Sequence, residues 1–187
     1  LSGLEKKYPG FLSASSRAGT LAPILAKMKK TDVPCLYWAS AGVLSAFSLD
    51  PFDSSLGLRV PDLMTCIDRA YELDPDFNNG ALDDFYVMAL SALPPSLGGD
   101  KSRVEGHFTL SLKKSGGKLA GPYVSYAQSV SIPAQDYDTF KKYLETALAL
   151  DPDEVPENRL VNIISQRKAR NLLNSASDYF ILEDFEE

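Results

Sequence analysis

The 187-residue chain has few of the side chains that build metal sites, disulfide frameworks or catalytic centres, with two cysteines and one histidine. Cys35, Cys66 and His107 are too far apart in sequence to form a zinc motif. In the predicted helices, the two cysteines lie toward opposite ends of one hairpin, beyond the roughly 7 Å that a disulfide spans between Cα atoms. We therefore expect two free, mostly buried thiols and no metal.

Long basic and long apolar runs are also absent. The chain has 19 lysines and arginines against 25 aspartates and glutamates, for a net charge of −6. This balance excludes a typical nucleic-acid-binding surface, which needs a concentrated positive patch. No stretch reaches the roughly 18 apolar residues of a membrane span. The chain does not open on methionine, which indicates that N-terminal residues, and any targeting signal among them, are missing.

Motifs for chemistry are missing as well. The serines show no Gly-x-Ser-x-Gly elbow, and the Gly98-Gly99-Asp100 and Ser115-Gly116-Gly117 segments lack the lysine and serine of a phosphate loop. His107 precedes a predicted core residue, and no nucleophile or carboxylate partner can be nominated for it from sequence. We expect a structural or surface histidine, no cofactor and a protein that is not an enzyme.

What the sequence does contain is one pattern repeated three times, with spacings of four, three and five residues between its members. The copies are Leu63-Ile67-Ala70-Pro75, Val104-Phe108-Ser111-Gly116 and Phe140-Leu144-Ala147-Pro152. Large, large, small and then a breaker is typical of the second helix of a tetratricopeptide (TPR) hairpin. We place these second helices near residues 61–73, 100–114 and 134–150. The sequence predicts an all-α fold, an α–α superhelix of TPR-like hairpins forming a single domain over residues 1–187.

Two sets of side chains on the first helices of the hairpins are candidates for lining a concave cavity. They are the aromatic residues Trp38, Tyr123 and Tyr126 and the amides Asn158, Asn162 and Gln166. The amides recur every four residues and so share one helix face. Each set has an alternative: the rings could fill the packing between hairpins, and the amides could form a solvated face or a hydrogen-bond network around loop backbone.

A series of landmark blocks from Tyr8 onward carries a family resemblance. The blocks are Tyr8-Pro9-Gly10-Phe11, Val33-Pro34-Cys35-Leu36-Tyr37-Trp38, Tyr71-Glu72-Leu73-Asp74-Pro75-Asp76, Asn79-Gly80-Ala81-Leu82, Gly98-Gly99-Asp100, His107-Phe108, Gly116-Gly117, Gly121-Pro122-Tyr123-Val124-x-Tyr126-Ala127, Gln135-Asp136 and Pro156-Glu157-Asn158-Arg159-Leu160-x-Asn162-x-Ile164-x-Gln166-x-x-Ala169-Arg170. Their order resembles the T component of tripartite ATP-independent periplasmic (TRAP) transporters, the TatT-like lipoproteins. The chain departs from that family at Lys113-Lys114, where an acidic–leucine pair is more common.

The resemblance implies a periplasmic, lipid-anchored helical-repeat protein that forms a homotrimer with a cavity through each protomer. It also implies pairing with a substrate-binding P component and passage of a small hydrophobic or organic-acid ligand. The lipobox cysteine and further N-terminal helices of the family are not in this chain, so we expect membrane attachment only through an anchor outside it. The alternative function is a generic TPR adaptor that binds an extended peptide in its concave groove.

Overall fold

The computed structural model describes residues 2–15 and 20–181, and every regular element in these ranges is helical. The prediction of an all-α fold is therefore confirmed. The chain divides into two compact units, Leu1–Leu82 with Leu93–Gly99 and Asp83–Ala92 with Asp100–Glu187. Each unit is described by itself, and stacking of the hairpins into one superhelix stays a prediction.

The first unit is built on two long helices, α4 (Val33–Leu49) and α6 (Val60–Leu73), which pack against each other. Both begin with a proline in the first turn, where the missing N–H costs nothing. Shorter helices complete the unit: α1 (Ser2–Lys7), α2 (Phe11–Ala14), α3 (Ala22–Leu25) and α5 (Ser54–Gly57). The buried Asp32 carboxylate accepts hydrogen bonds from Lys7, from the Tyr8 hydroxyl at 2.7 Å and from the Lys29 amide at 2.9 Å, which ties α1 to the start of α4.

Both cysteines are free, as expected, but only one of them is buried. Cys66 lies on the inner face of α6, where burial and then the nearby Asp62 charge raise the pKa of its thiol to about 12. Cys35 is exposed, so the expectation of a mostly buried thiol is wrong there. The inner face of α4 carries Leu36 and Ser40, one turn apart, and Cys35 is turned about 100° away from that face.

The second unit contains all but the first two residues of α7 (Ala81–Ala92), with α8 (Lys101–Ser115), α9 (Ala120–Tyr126), α10 (Ile132–Ala134), α11 (Tyr137–Ala149) and α12 (Arg159–Asn174). Helices α9, α11 and α12 pack pairwise around a common core. Asp100 and Asp136 accept hydrogen bonds from first-turn amides and so cap α8 and α11. Gly116 ends α8 with φ +62°, a conformation that favours glycine.

The three copies of the repeated pattern fall on α6, α8 and α11, and all nine of their large and small positions are buried. These positions are Leu63, Ile67, Ala70, Val104, Phe108, Ser111, Phe140, Leu144 and Ala147. Spacings of four and three residues keep side chains on one face of a helix, so the pattern marks the inner face of each of these helices. No helix in the described residues is both long enough and apolar enough to cross a membrane.

Because Leu144 is fully buried in the core of the second unit, we expect Leu144→Ala to lower the free energy of unfolding by about 2–5 kcal/mol. Leu49→Ala is the matched control, because that side chain is 87% exposed, and it should change stability by less than about 0.5 kcal/mol. Urea denaturation followed by circular dichroism measures both. Equal losses in the two variants would contradict the assignment of the repeated positions to the core.

Candidate ligand-binding site

Four aromatic rings from three helices meet in the second unit. Phe108 of α8 lies 4.4 Å from Tyr126 and 5.1 Å from Tyr143 between ring centroids, and Tyr123 lies 6.0 Å from Tyr143. Phe108 is buried, whereas the three tyrosines are half-buried. Rings at these centroid distances pack directly on one another and leave no space between them. Phe108, Tyr123, Tyr126 and Tyr143 are together called the tyrosine cluster.

The hydroxyls of the tyrosine cluster are held in their neutral form. Tyr126 donates a hydrogen bond to the Glu105 carboxylate at 2.9 Å, and burial followed by this bond raises the pKa of Tyr126. Burial is also the first cause of the raised pKa values of Tyr123 and Tyr143. Tyrosine hydroxyls are uncharged at neutral pH in any case, and these environments move their ionisation further from it.

A cavity of about 110 Å³ opens beside a π-helical segment, Ala127–Ser131, that follows α9 directly. Its lining residues are Ser91, Lys101, Val104, Ser129, Val130, Pro133 and Ala134. A π-turn inserts one residue into a helix, and such insertions are frequent at functional sites. The volume is several times what one water molecule needs, and apolar walls with two hydroxyls and one ammonium suit a small amphipathic molecule.

The cavity and the tyrosine cluster are neighbours along α8. Val104 lines the cavity, and the ring of Phe108, one helical turn later, packs against Tyr126 and Tyr143. One turn is 5.4 Å, so the two features lie close together along the same face of α8. Sequence reasoning missed Lys101, Ser129 and Val130, and neither the π-turn nor a single lysine after a helix cap leaves a periodic signal that could have revealed them.

The predicted aromatic residues do not all come together. Tyr123 and Tyr126 lie in the tyrosine cluster, and neither lines the cavity. Trp38 belongs to the first unit, where it packs edge-on against Tyr37 at 5.1 Å and is 66% exposed. Tyr37 in turn lies 5.5 Å from Phe77.

The predicted amides bind backbone atoms of their own unit. The side chain of Asn162 accepts from the Ala120 amide at 2.9 Å and donates to the Lys118 carbonyl at 3.0 Å, and it is 1% exposed. Gln166 donates to the carbonyls at the end of α11, at 3.1 Å to Ala147 and 2.7 Å to Leu150. These are the contacts of a network around loop backbone. Asn158 stands half-buried at the start of α12. Contact of the six predicted residues with a ligand stays a prediction.

Polar contacts around the buried Asp83 connect α8 to α7. The fully buried Asp83 carboxylate lies 2.9 Å from Nδ1 of His107 and 2.7 Å from Nζ of Lys114. His107 also stacks on Tyr86, with 4.4 Å between ring centroids, and its Nε2 lies 3.4 Å from the Arg103 guanidinium. The histidine is thus part of the packing between two helices, which agrees with the expected structural role.

A second buried carboxylate, Asp84, is bound less completely. Its Oδ2 accepts from the Ser125 hydroxyl at 3.1 Å, and its buried Oδ1 has no hydrogen-bond partner. Burial raises the pKa of this carboxyl to about 6, against the opposing effects of Ser125 and Lys168. Among the described residues no group of three or more histidines, cysteines, aspartates or glutamates could hold a metal ion.

A cavity with apolar walls and a few polar side chains is an arrangement typical of small-molecule-binding proteins. Comparison with known proteins narrows this class, because the family model for the TRAP transporter T-component matches residues 1–180. The chain belongs to that family. A protein of Treponema pallidum (strain Nichols), described as "Uncharacterized protein", is 32% identical over 183 residues, or 97% of this chain. The chain spans 57% of the length of that relative.

We expect Asn162→Ala to lower the free energy of unfolding by about 2–3 kcal/mol, because it leaves the buried Ala120 amide and the Lys118 carbonyl without their partner. Asn174→Ala, at the exposed end of the same helix, should cost less than about 0.5 kcal/mol. Urea denaturation of both variants gives the comparison. A destabilisation of Asn162→Ala no larger than that of the control would refute the structural role of the amide.

The raised pKa of Asp84 predicts how stability changes with pH. In the unfolded chain the carboxyl loses its proton near the ordinary value of 3.8, whereas the folded chain keeps it up to about pH 6. Stability contributed by this group therefore falls as the pH rises through that window, and the full cost is present at neutral pH. Asp84→Asn should stabilise the protein by about 1–3 kcal/mol at neutral pH and have little effect near pH 3.5.

Denaturation curves of wild type and Asp84→Asn across this pH range test the prediction. The exposed Asp178→Asn is the control for removal of one negative charge. An Asp84→Asn variant that is less stable than wild type at neutral pH would show that the ionised carboxylate is needed where it stands.

Proposed function

We propose that the chain is part of a periplasmic, non-enzymatic T component of a TRAP transporter, which binds a substrate-binding P component and helps to pass a small ligand. The observation that carries this proposal is the family match over residues 1–180. Because the chain spans 57% of the curated relative's length, the partner and the ligand are stated for the whole protein rather than for this chain alone. The matched family is that of a transporter component, which supports the non-enzymatic part of the proposal.

The ligand site in this proposal is the cavity beside the π-helical segment, with the tyrosine cluster at its edge. The apolar part of a ligand would contact Val104, Val130 and Pro133, and a carboxylate would approach the ammonium of Lys101. A small organic acid with a short apolar chain is therefore the ligand class that fits best. Trp38, Tyr123, Tyr126, Asn158, Asn162 and Gln166 remain predicted contacts of the whole protein with its ligand or partner.

The peptide-adaptor alternative depended on amides of the last helix facing a groove. Asn162 is buried, and both polar atoms of its side chain already bind backbone of the same unit. Gln166 is likewise used at the end of α11. Neither amide can hydrogen-bond the backbone of a bound peptide without giving up those contacts, so the transport role is the better supported function.

The partner half of the proposal is tested with the full-length protein and a P-type binding protein encoded near it. We expect a complex at micromolar concentrations, measured by co-elution in size-exclusion chromatography and by biolayer interferometry. The absence of any complex in this range would overturn the assigned role.

The ligand half is tested with a series of carboxylates from propionate to hexanoate, using isothermal titration calorimetry. We expect Lys101→Glu to weaken binding by about tenfold or more, because it replaces the one positive charge that the described residues place in the cavity lining by one that repels a carboxylate. Lys113→Glu makes the same charge change at an exposed position of the same helix and should leave affinity within about twofold. Equal effects of the two variants would exclude the cavity as the carboxylate site.

A further inference from the structure

Three polar side chains line the cavity beside the π-helical segment, and they offer a ligand different hydrogen-bonding groups. They are Ser91 of α7, Lys101 of α8 and Ser129 of the π-helical segment, all in the second unit. The remaining lining residues are apolar: Val104, Val130, Pro133 and Ala134. The choice among small polar ligands therefore depends on what the two hydroxyls and the ammonium can still donate or accept.

The hydroxyl of Ser91 is already used as a donor. Its Oγ donates to the carbonyl of Val87 at 2.6 Å and also lies 3.1 Å from the carbonyl of Met88, both within α7. A serine hydroxyl has one proton and two acceptor lone pairs, so the helix takes the proton and leaves the oxygen free to accept. A ligand group that hydrogen-bonds Ser91 without breaking these contacts must therefore bring its own proton.

Ser129 and Lys101 are uncommitted in the part of the chain that the structure describes. Ser129 is half-buried and its hydroxyl makes no hydrogen bond there, so it can turn either to donate or to accept. Lys101 is exposed and makes no ion pair with the described residues. The carboxylate of Asp100 accepts instead from the amide of Ser102 at 3.1 Å and from its hydroxyl at 2.6 Å. The ammonium of Lys101 is thus available to a carboxylate ligand.

Ser91 and Lys101 lie beside each other where the end of α7 meets the start of α8. The amide of Asp100 donates to the carbonyl of Leu90 at 3.1 Å, and these two residues immediately precede Lys101 and Ser91. Because both side chains line the same cavity, a carboxylate held by Lys101 has its neighbouring carbon atom on the side of Ser91. Ser129 reaches the same cavity from the π-helical segment.

We propose that the cavity prefers a short 2-hydroxy acid to the 2-oxo acid and the unsubstituted acid of the same length, and that Ser91 sets this preference. The inference rests on the proposed function, because it concerns the ligand of the same cavity. The carboxylate binds Lys101, while the 2-hydroxyl donates to Ser91 and accepts from Ser129. A 2-oxo group accepts from Ser129 but has no proton for Ser91, and an unsubstituted carbon does neither. A 2-amino acid brings a second ammonium, which Lys101 repels.

Isothermal titration calorimetry of the full-length protein with butyrate, 2-oxobutyrate and each enantiomer of 2-hydroxybutyrate tests this preference. We expect the better-bound enantiomer to bind about tenfold more tightly than butyrate, with 2-oxobutyrate in between. Ser91→Ala should bring the affinities for 2-hydroxybutyrate and 2-oxobutyrate within about twofold of each other. Ser115→Ala is the matched control, because Ser115 donates to the carbonyls of Ser111 and Leu112 in the same way and lies outside the cavity lining. It should keep the wild-type order of affinities.

The possible failures of this experiment separate the inference from the proposed function. Equal affinities for all three acids, each weakened by Lys101→Glu, would overturn the hydroxyl preference and leave the cavity as a carboxylate site. Tighter binding of 2-oxobutyrate would overturn it as well. A preference for 2-hydroxybutyrate that persists in Ser91→Ala would overturn the role of Ser91. If none of the acids binds, the ligand half of the proposed function fails together with the inference. Circular dichroism checks that each variant is folded.

Discussion

Short helices with buried ends impose the constraint on which this structure depends, because the backbone groups of the first and last turns have no partner within their own helix. Polar side chains from a neighbouring helix reach these groups in both units. Arg69 of α6 donates to the carbonyls of Leu25 and Met28. Gln166 of α12 serves the end of α11, and Asn162 serves the loop before α9. Each contact satisfies a helix end and also fixes the neighbouring helix against it.

This constraint explains which parts of the sequence interpretation hold. The repeated positions are predictable because burial follows helical period, and period is a local property of the sequence. The four-residue spacing of Asn158, Asn162 and Gln166 likewise predicts a shared face. Spacing cannot say what that face meets, since the answer depends on how closely α11 and the loop before α9 approach it. In the structure, Asn162 binds a backbone amide and a backbone carbonyl, and Gln166 binds backbone carbonyls.

The candidate site is less predictable, because it depends on how separate helices approach one another and not on spacing within one helix. Tyr123 and Tyr126 could be nominated as cavity-lining residues because aromatic residues on a helix indicate either a core or a pocket. In the structure both rings pack against Tyr143 of α11. The cavity depends on a π-turn, an insertion that interrupts the helical period and is set by the packing of the whole unit. Lys101 sits in an ordinary helix start, so only its place at the cavity distinguishes it from other surface lysines.

The basic pair Lys113-Lys114 divides its two side chains between the interior and the surface. A buried carboxylate costs several kcal/mol unless it is paired, and the ammonium of Lys114 pairs with Asp83 at 2.7 Å. Lys113, the adjacent residue, remains exposed. The contacts of Asp83 with His107 and Lys114 hold the middle and the last turn of α8 to α7, while Lys101 and Val104 of its first turn line the cavity. Contacts that hold α8 in place therefore lie outside the cavity lining.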